Sequence, residues 1–152
     1  MIDPQLASFL QEGIAVHVGT RNERLEPSGA RATAVQVDAT GTFLTVFVPE
    51  IAGRHVLPDL ESNGQAAVVF ARPTDDRACQ VKGELVEIRP AAPDERALIA
   101  TQWEGFMVSL ERIGIPRAVH ALWPTWPSVA IRLRATALFE QTPGPKAGTP
   151  LA

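Results

Sequence analysis

The chain has 152 residues, 45% hydrophobic and 20% charged, with a net charge of −3, which is the composition of one globular domain of ordinary size. Its twelve arginines stand singly, without the basic stripe that a nucleic-acid backbone requires. The longest run free of polar residues, Ala66–Ala71, falls far short of the ~20 apolar residues that span a bilayer.

In chain order, "DPQLASFLQEG" reads as a short helix, with Asp3 as N-cap, Pro4 at the first position and Gly13 as the left-handed stop. "IAVHVGT" alternates, placing Ile14, Val16 and Val18 on one face and Ala15, His17 and Gly19 on the other. Second and third strands are expected over Gly29–Asp38 and Thr42–Glu50. "IAGRHVLPDLESNG" predicts one or two helical turns, interrupted near Pro58 and stopped at Asn63-Gly64. "QAAVVFARP" and "ACQVKGELVEI" read as antiparallel strands joined across "TDDR". The longest helix follows, with Ile99, Trp103, Phe106, Leu110 and Ile113 in one apolar stripe. After the irregular "PRAVHALWPTWPS", a final strand turns Val129, Ile131, Leu133, Ala135, Ala137 and Phe139 one way. Six antiparallel strands with few helices predict a mainly β fold, a barrel with flanking helices, and the last strand is expected to close it.

The N-terminus carries acids where a signal peptide carries positive charge, and Cys79 is the only cysteine, so a cytoplasmic protein without a disulfide is expected. The chemistry-bearing motifs are few. There is no G-x-S-x-G, P-loop or G-x-G-x-x-G, and His17, His55 and His120 are not spaced like metal ligands, so no metal is expected. His17 reads as a hydrogen-bonded barrel residue, Trp103 and Phe106 as core. Arg31 on the second strand and Arg54-His55 after the third leave two readings open: solvated surface cations, or ligands converging on one anion.

The order of elements, with "RATAV" (Arg31–Val35), "GRHV" (Gly53–Val56), "RACQVKG" (Arg77–Gly83) and "WPSVAIRL…FEQTPG", resembles the pyridoxamine 5′-phosphate oxidase-like proteins. The resemblance covers almost the whole chain. It implies a six-stranded antiparallel split barrel that binds FMN, over residues 1–142, followed by a Pro/Gly-rich tail over 143–152. It further implies that Arg31, Arg54 and His55 hold the FMN phosphate, with Thr33 also among the cofactor-binding residues and Gln80 and Trp126 nearer the flavin ring. Ala78 stands where the family carries a flavin-contacting Gln, and Gln80 lies two residues on. The family places its flavin at the seam of a homodimer, so the tail would either be a loose end or cover the partner's cofactor.

One departure bears on activity. The oxidase proper follows this last motif with basic residues that receive pyridoxal phosphate, whereas "TPGPKAGTPLA" has neither Arg nor His. The resemblance therefore implies an FMN-dependent oxidoreductase acting on another small molecule, and no catalytic residue is singled out. A non-catalytic split barrel binding a flavin, a deazaflavin or heme is the alternative.

Overall fold

A computed structural model of the chain describes residues 2–151. Helix α1 spans Pro4–Leu10, and the Asp3 carboxylate caps it by accepting the Leu6 N–H at 2.7 Å. Gly13 follows at φ +79°, and a Cβ there would lie 2.4 Å from the Gln102 carbonyl oxygen. The chain therefore enters the barrel hard against the long helix α4, Glu95–Arg112.

Seven strands form one antiparallel sheet: β1 (Ala15–Arg21), β2 (Pro27–Ala32), β3 (Ala34–Val37), β4 (Phe43–Pro49), β5 (Gln65–Ala71), β6 (Ala78–Pro90) and β7 (Ser128–Glu140). Their order is β2-β1-β5-β6-β7-β4-β3. The seventh strand arises because the expected second strand breaks at Thr33. The N–H and hydroxyl of Thr33 both donate to the Phe47 carbonyl, at 2.9 and 3.3 Å, so this residue leaves the ladder on β1 and turns to β4. Before the break the chain pairs with β1, and after it with β4. The two edges of the sheet are thus successive pieces of one strand, which curls the sheet into a half-barrel. Closure rests on this broken strand and not on the last one, since β7 lies inside the sheet between β6 and β4.

The inner face is apolar as the alternation predicts, with Val16, Val18, Val68, Phe70, Val81, Ile131 and Leu133 in one buried cluster. Phe9 and Leu10 of α1 join that cluster, as do Val56 and Leu60 of α3 (Val56–Asn63). Pro58 does not interrupt α3. It sits in the first turn, where no N–H is needed, and the break falls earlier, at Arg54-His55 after α2 (Glu50–Gly53). Gly64 ends α3 at φ +70°, donating its N–H to the Leu60 carbonyl at 2.8 Å.

Helix α4 lies on β3, fastened by the buried Gln102. Its side chain accepts the Val35 N–H at 2.9 Å and donates to the Val35 carbonyl at 2.7 Å, replacing a neighbouring strand at this edge. Of the expected stripe, Ile99, Phe106 and Leu110 are buried, while Ile113 lies beyond the helix end and is exposed.

Residues 143–151 of the tail lie against β7. Because β4 pairs only with Ser128–Arg134, the next residues of β7 have an open edge, and the tail covers it. Gly148 donates to the Glu140 carbonyl (2.7 Å), Glu140 to Thr149 (2.9 Å) and Leu151 to Leu138 (2.8 Å). No helix among the described residues is long and apolar enough to cross a membrane.

Candidate functional site

Strand register gathers side chains that are remote in sequence. Arg31 on β2 pairs with His17 on β1, His17 with Val69 on β5, Val69 with Gln80 on β6, and Gln80 with Phe139 on β7. Since their chain neighbours Val16, Val18, Val68, Phe70 and Val81 point into the core, this row faces outward. The next residue on the same face is small in three successive strands: Gly29, Gly19 and Ala67. They leave a low floor in a cleft of about 570 Å³ that His17, Arg31 and Gln80 also line.

One wall comes from the loop after α4, which contributes His120 and Trp123. Arg117 ties that loop to the helix, with its guanidinium donating to Glu104 at 2.7 and 2.8 Å and to Glu111 at 3.1 and 3.2 Å. Phe106 of α4 lies beneath, its ring 6.4 Å from that of His120.

Arg31 is the electrostatic centre. Its guanidinium carbon stands 5.1 Å from the Phe106 ring centre and 5.7 Å from that of Trp123, so aromatic faces supply its local stabilisation. Its Nη1 is buried without a hydrogen-bond partner. Burial pushes the Arg31 pKa below its ordinary value, yet a guanidinium remains charged at neutral pH. Among the described residues, no carboxylate lines the cleft. His17 is held below the ordinary imidazole value, first by burial and then by the Arg31 charge, so it is predominantly neutral at pH 7.

A second cleft of about 520 Å³, between α4 and the β5–β6 turn, differs in kind. Arg72 there already donates to Glu12 and twice to Asp75, at 2.6–2.9 Å. Its charge is answered within the chain, whereas that of Arg31 is not.

Of the residues singled out by the sequence, Arg31 and Gln80 meet in the first cleft. Arg54 and His55 sit at the α2–α3 junction and do not line it, and the Arg54 Nε donates to the nearby Ile51 carbonyl. Thr33 is buried at the strand break. Trp126 packs on the cluster of Ala34, Phe47, Ile99 and Ala130, with the Arg96 guanidinium 5.5 Å from its ring centre. Its neighbour in the loop, Trp123, is the tryptophan that lines the cleft. His17 faces the cleft and makes no side-chain hydrogen bond within the described chain, which corrects its reading as a hydrogen-bonded barrel residue. Alternation on β1 already assigned it to the face opposite Val16 and Val18. Phe106 is core, as expected, and also the rest for Arg31.

Comparison with solved structures agrees with this architecture. The chain is similar to an F420 reductase (TM-score 0.59, 18% identity, 86% of this chain and 93% of the other). It is similar to a candidate pyridoxamine 5′-phosphate oxidase from Lactobacillus delbrueckii (TM-score 0.56, 12% identity, 90% and 92%). An FMN-binding protein from Syntrophomonas wolfei matches it too (TM-score 0.55, 10% identity, 88% and 81%). At these identities the likeness shows the fold alone: the chain has the split-barrel fold of these structures. No protein-family model and no curated protein matches the sequence.

Proposed function

We propose that the protein is a flavoprotein that binds FMN in the cleft over β1, β2 and β5, and that it serves as an FMN-dependent oxidoreductase for a small molecule. Arg31 carries this reading. A charged guanidinium with a buried N–H unpartnered among the described residues, in a cleft to which they bring no carboxylate, is a site that calls for an anion.

The residues present fit the group. Arg31 would take the phosphate, Gln80 offers an amide donor and acceptor on the same row, and Trp123 offers an apolar wall. The cleft volume lies in the range of small-molecule sites, roughly 300–1,000 Å³. FMN, when bound, supplies the redox chemistry, and the chain's own part is to bind, orient and shield it. Arg54 and His55 belong to this reading only through the family resemblance.

A second copy of the chain is proposed as the outer wall. The cleft lies on the outer face of the sheet, and Leu122, Val119 and Trp123 stand exposed beside it, Leu122 at 96%. A two-fold pairing would cover these side chains and give two equivalent sites. The tail, laid along β7, carries Lys146 but neither the Arg nor the His of the oxidase motif, so pyridoxamine and pyridoxine phosphates are not among the proposed substrates. A reducing cytoplasm is the proposed location.

The test is fluorescence titration of the apoprotein with FMN, after mass spectrometry of whatever ligand the purified protein releases on denaturation. Arg31→Ala is expected to weaken FMN binding by about 1.5–3 kcal/mol, the range for a hydrogen bond to a charged group. Unchanged affinity in that variant refutes the assignment.

A further inference from the structure

We propose that His17 is the second ligand of the anion that Arg31 takes, binding it in the protonated form, so that the cleft selects a doubly charged phosphate monoester over a singly charged diester. The inference rests on the anion site proposed above and adds to it a residue, a coupled proton and a specificity.

The geometry is that of a directly opposed cross-strand pair on one open face. Such neighbours have Cβ atoms about 4.5–5.5 Å apart, close enough for one phosphate to touch both side chains. Everything that faces His17 is either cationic or uncharged. Arg31 comes from β2, Val69 from β5, Gln80 from β6, and Gly19 stands two residues along β1; the loop supplies His120 and Trp123. With no carboxylate in the cleft among the described residues, the only charge they bring to close range of the imidazole is that of Arg31, and it opposes a second positive charge. An anion seated between the two side chains reverses that term. Its own charge then favours the imidazolium, whose N–H becomes a charge-assisted donor to the same oxygens that Arg31 contacts. Binding therefore draws one proton from solvent per site. The gain is greatest for a ligand that carries two charges, because a monoanion is already balanced by Arg31.

The wall opposite does not supply this charge. Arg117, the other cation of that loop, is engaged by Glu104 and Glu111. His120 is the one other titratable side chain lining the cleft, and it serves as the control.

Isothermal titration calorimetry of FMN at pH 7 in two buffers of different ionisation enthalpy counts the protons exchanged. The wild type is expected to take up close to one proton per FMN. His17→Gln is expected to abolish the uptake and weaken binding about tenfold or more, consistent with loss of a charged hydrogen bond, while His120→Gln retains the uptake. In the wild-type protein, the His17 Cε1–H resonance at pH 7 should move to the imidazolium position when FMN is added, a measurement that needs no variant. Phenyl phosphate should displace FMN at about a tenth of the concentration that methyl phenyl phosphate requires. Binding that depends on Arg31 with no proton uptake and an unmoved His17 resonance overturns this inference alone. Equal displacement by the two esters overturns the selectivity. FMN affinity indifferent to Arg31→Ala overturns the anion site itself.

Discussion

Replacing Gln102 by Leu keeps the size of a side chain at the α4–β3 junction and removes its polar function. In the native chain both backbone groups of Val35 are buried and satisfied by this one amide, at 2.9 and 2.7 Å. Leucine leaves an N–H and a carbonyl without partners, and each buried unsatisfied group costs ~1–3 kcal/mol. The expected loss is about 2–4 kcal/mol, after some relief from water reaching the β3 edge. For a domain of this size that is roughly 5–15 °C in melting temperature. Urea titration followed by far-UV circular dichroism measures it directly.

Gln102→Glu gives the complementary test. The carboxylate still accepts from Val35 N–H but opposes the Val35 carbonyl with a lone pair, so its folded-state pKa rises above the unfolded value. The variant should therefore be destabilised at neutral pH, and the deficit relative to wild type should shrink as pH falls through the raised value. Because α4 carries Phe106 under Arg31, both variants are also expected to bind FMN more weakly. A Gln102→Leu protein within ~0.5 kcal/mol of wild type would refute the view that a side chain replaces the missing strand at this edge.

Other expectations concern separate parts of the molecule. Gly13→Ala should destabilise the fold by ~2 kcal/mol or more, since the new Cβ meets the Gln102 carbonyl at 2.4 Å and the residue holds φ +79°; thermal melts report it. The Cys79 thiol, pushed up to about 12 by burial and then by Glu140, should resist Ellman's reagent at pH 8 until the protein unfolds. Arg89, through two hydrogen bonds at 2.6 and 2.8 Å, and the Ala92 N–H hold the Glu95 carboxyl below its ordinary value. That stabilisation is complete above the unfolded glutamate pKa of about 4.3 and is lost as pH falls through the lower folded value, so Glu95→Gln should flatten part of the acid limb of stability against pH. Sedimentation velocity across a dilution series tests the proposed two-fold pairing, which should persist at micromolar concentration and bury about 1,600 Å² or more. A monomer that still holds FMN would rule that pairing out.

Much of the local structure was legible in the residues themselves, because its causes lie within a few positions of one another. Asp3, Pro4 and Gly13 frame α1, Gly64 stops α3, and alternation separates core from surface on β1 and on β7 as far as Ala135; beyond it a register shift against β6 turns Leu138 inward and Phe139 outward, against the expected single face. That alternation also placed His17 on the face opposite Val16 and Val18, which is the part of the site that periodicity reaches; the outward placement of Arg31 came from its pairing with His17. The mainly β class and the split-barrel likeness came from the order of elements and motifs.

What the tertiary structure decided involves partners far apart in the chain. The Gly29–Asp38 segment keeps its strand-like character through Thr33, so nothing local announces that its two halves belong to opposite edges; the Phe47 carbonyl and the curl of the sheet impose the break. Gln102 looks like one polar residue on an amphipathic helix until β3 lies beside it without a neighbour. Arg31 and Gln80 share a row only because β1 and β5 stand between their strands, and Trp123 rather than Trp126 reaches that row because Arg117 fixes the loop on α4. Along an unbroken strand, sequence periodicity settles which way a side chain points, whereas its companions depend on strand pairing, and pairing is set by burial of the whole sheet at once.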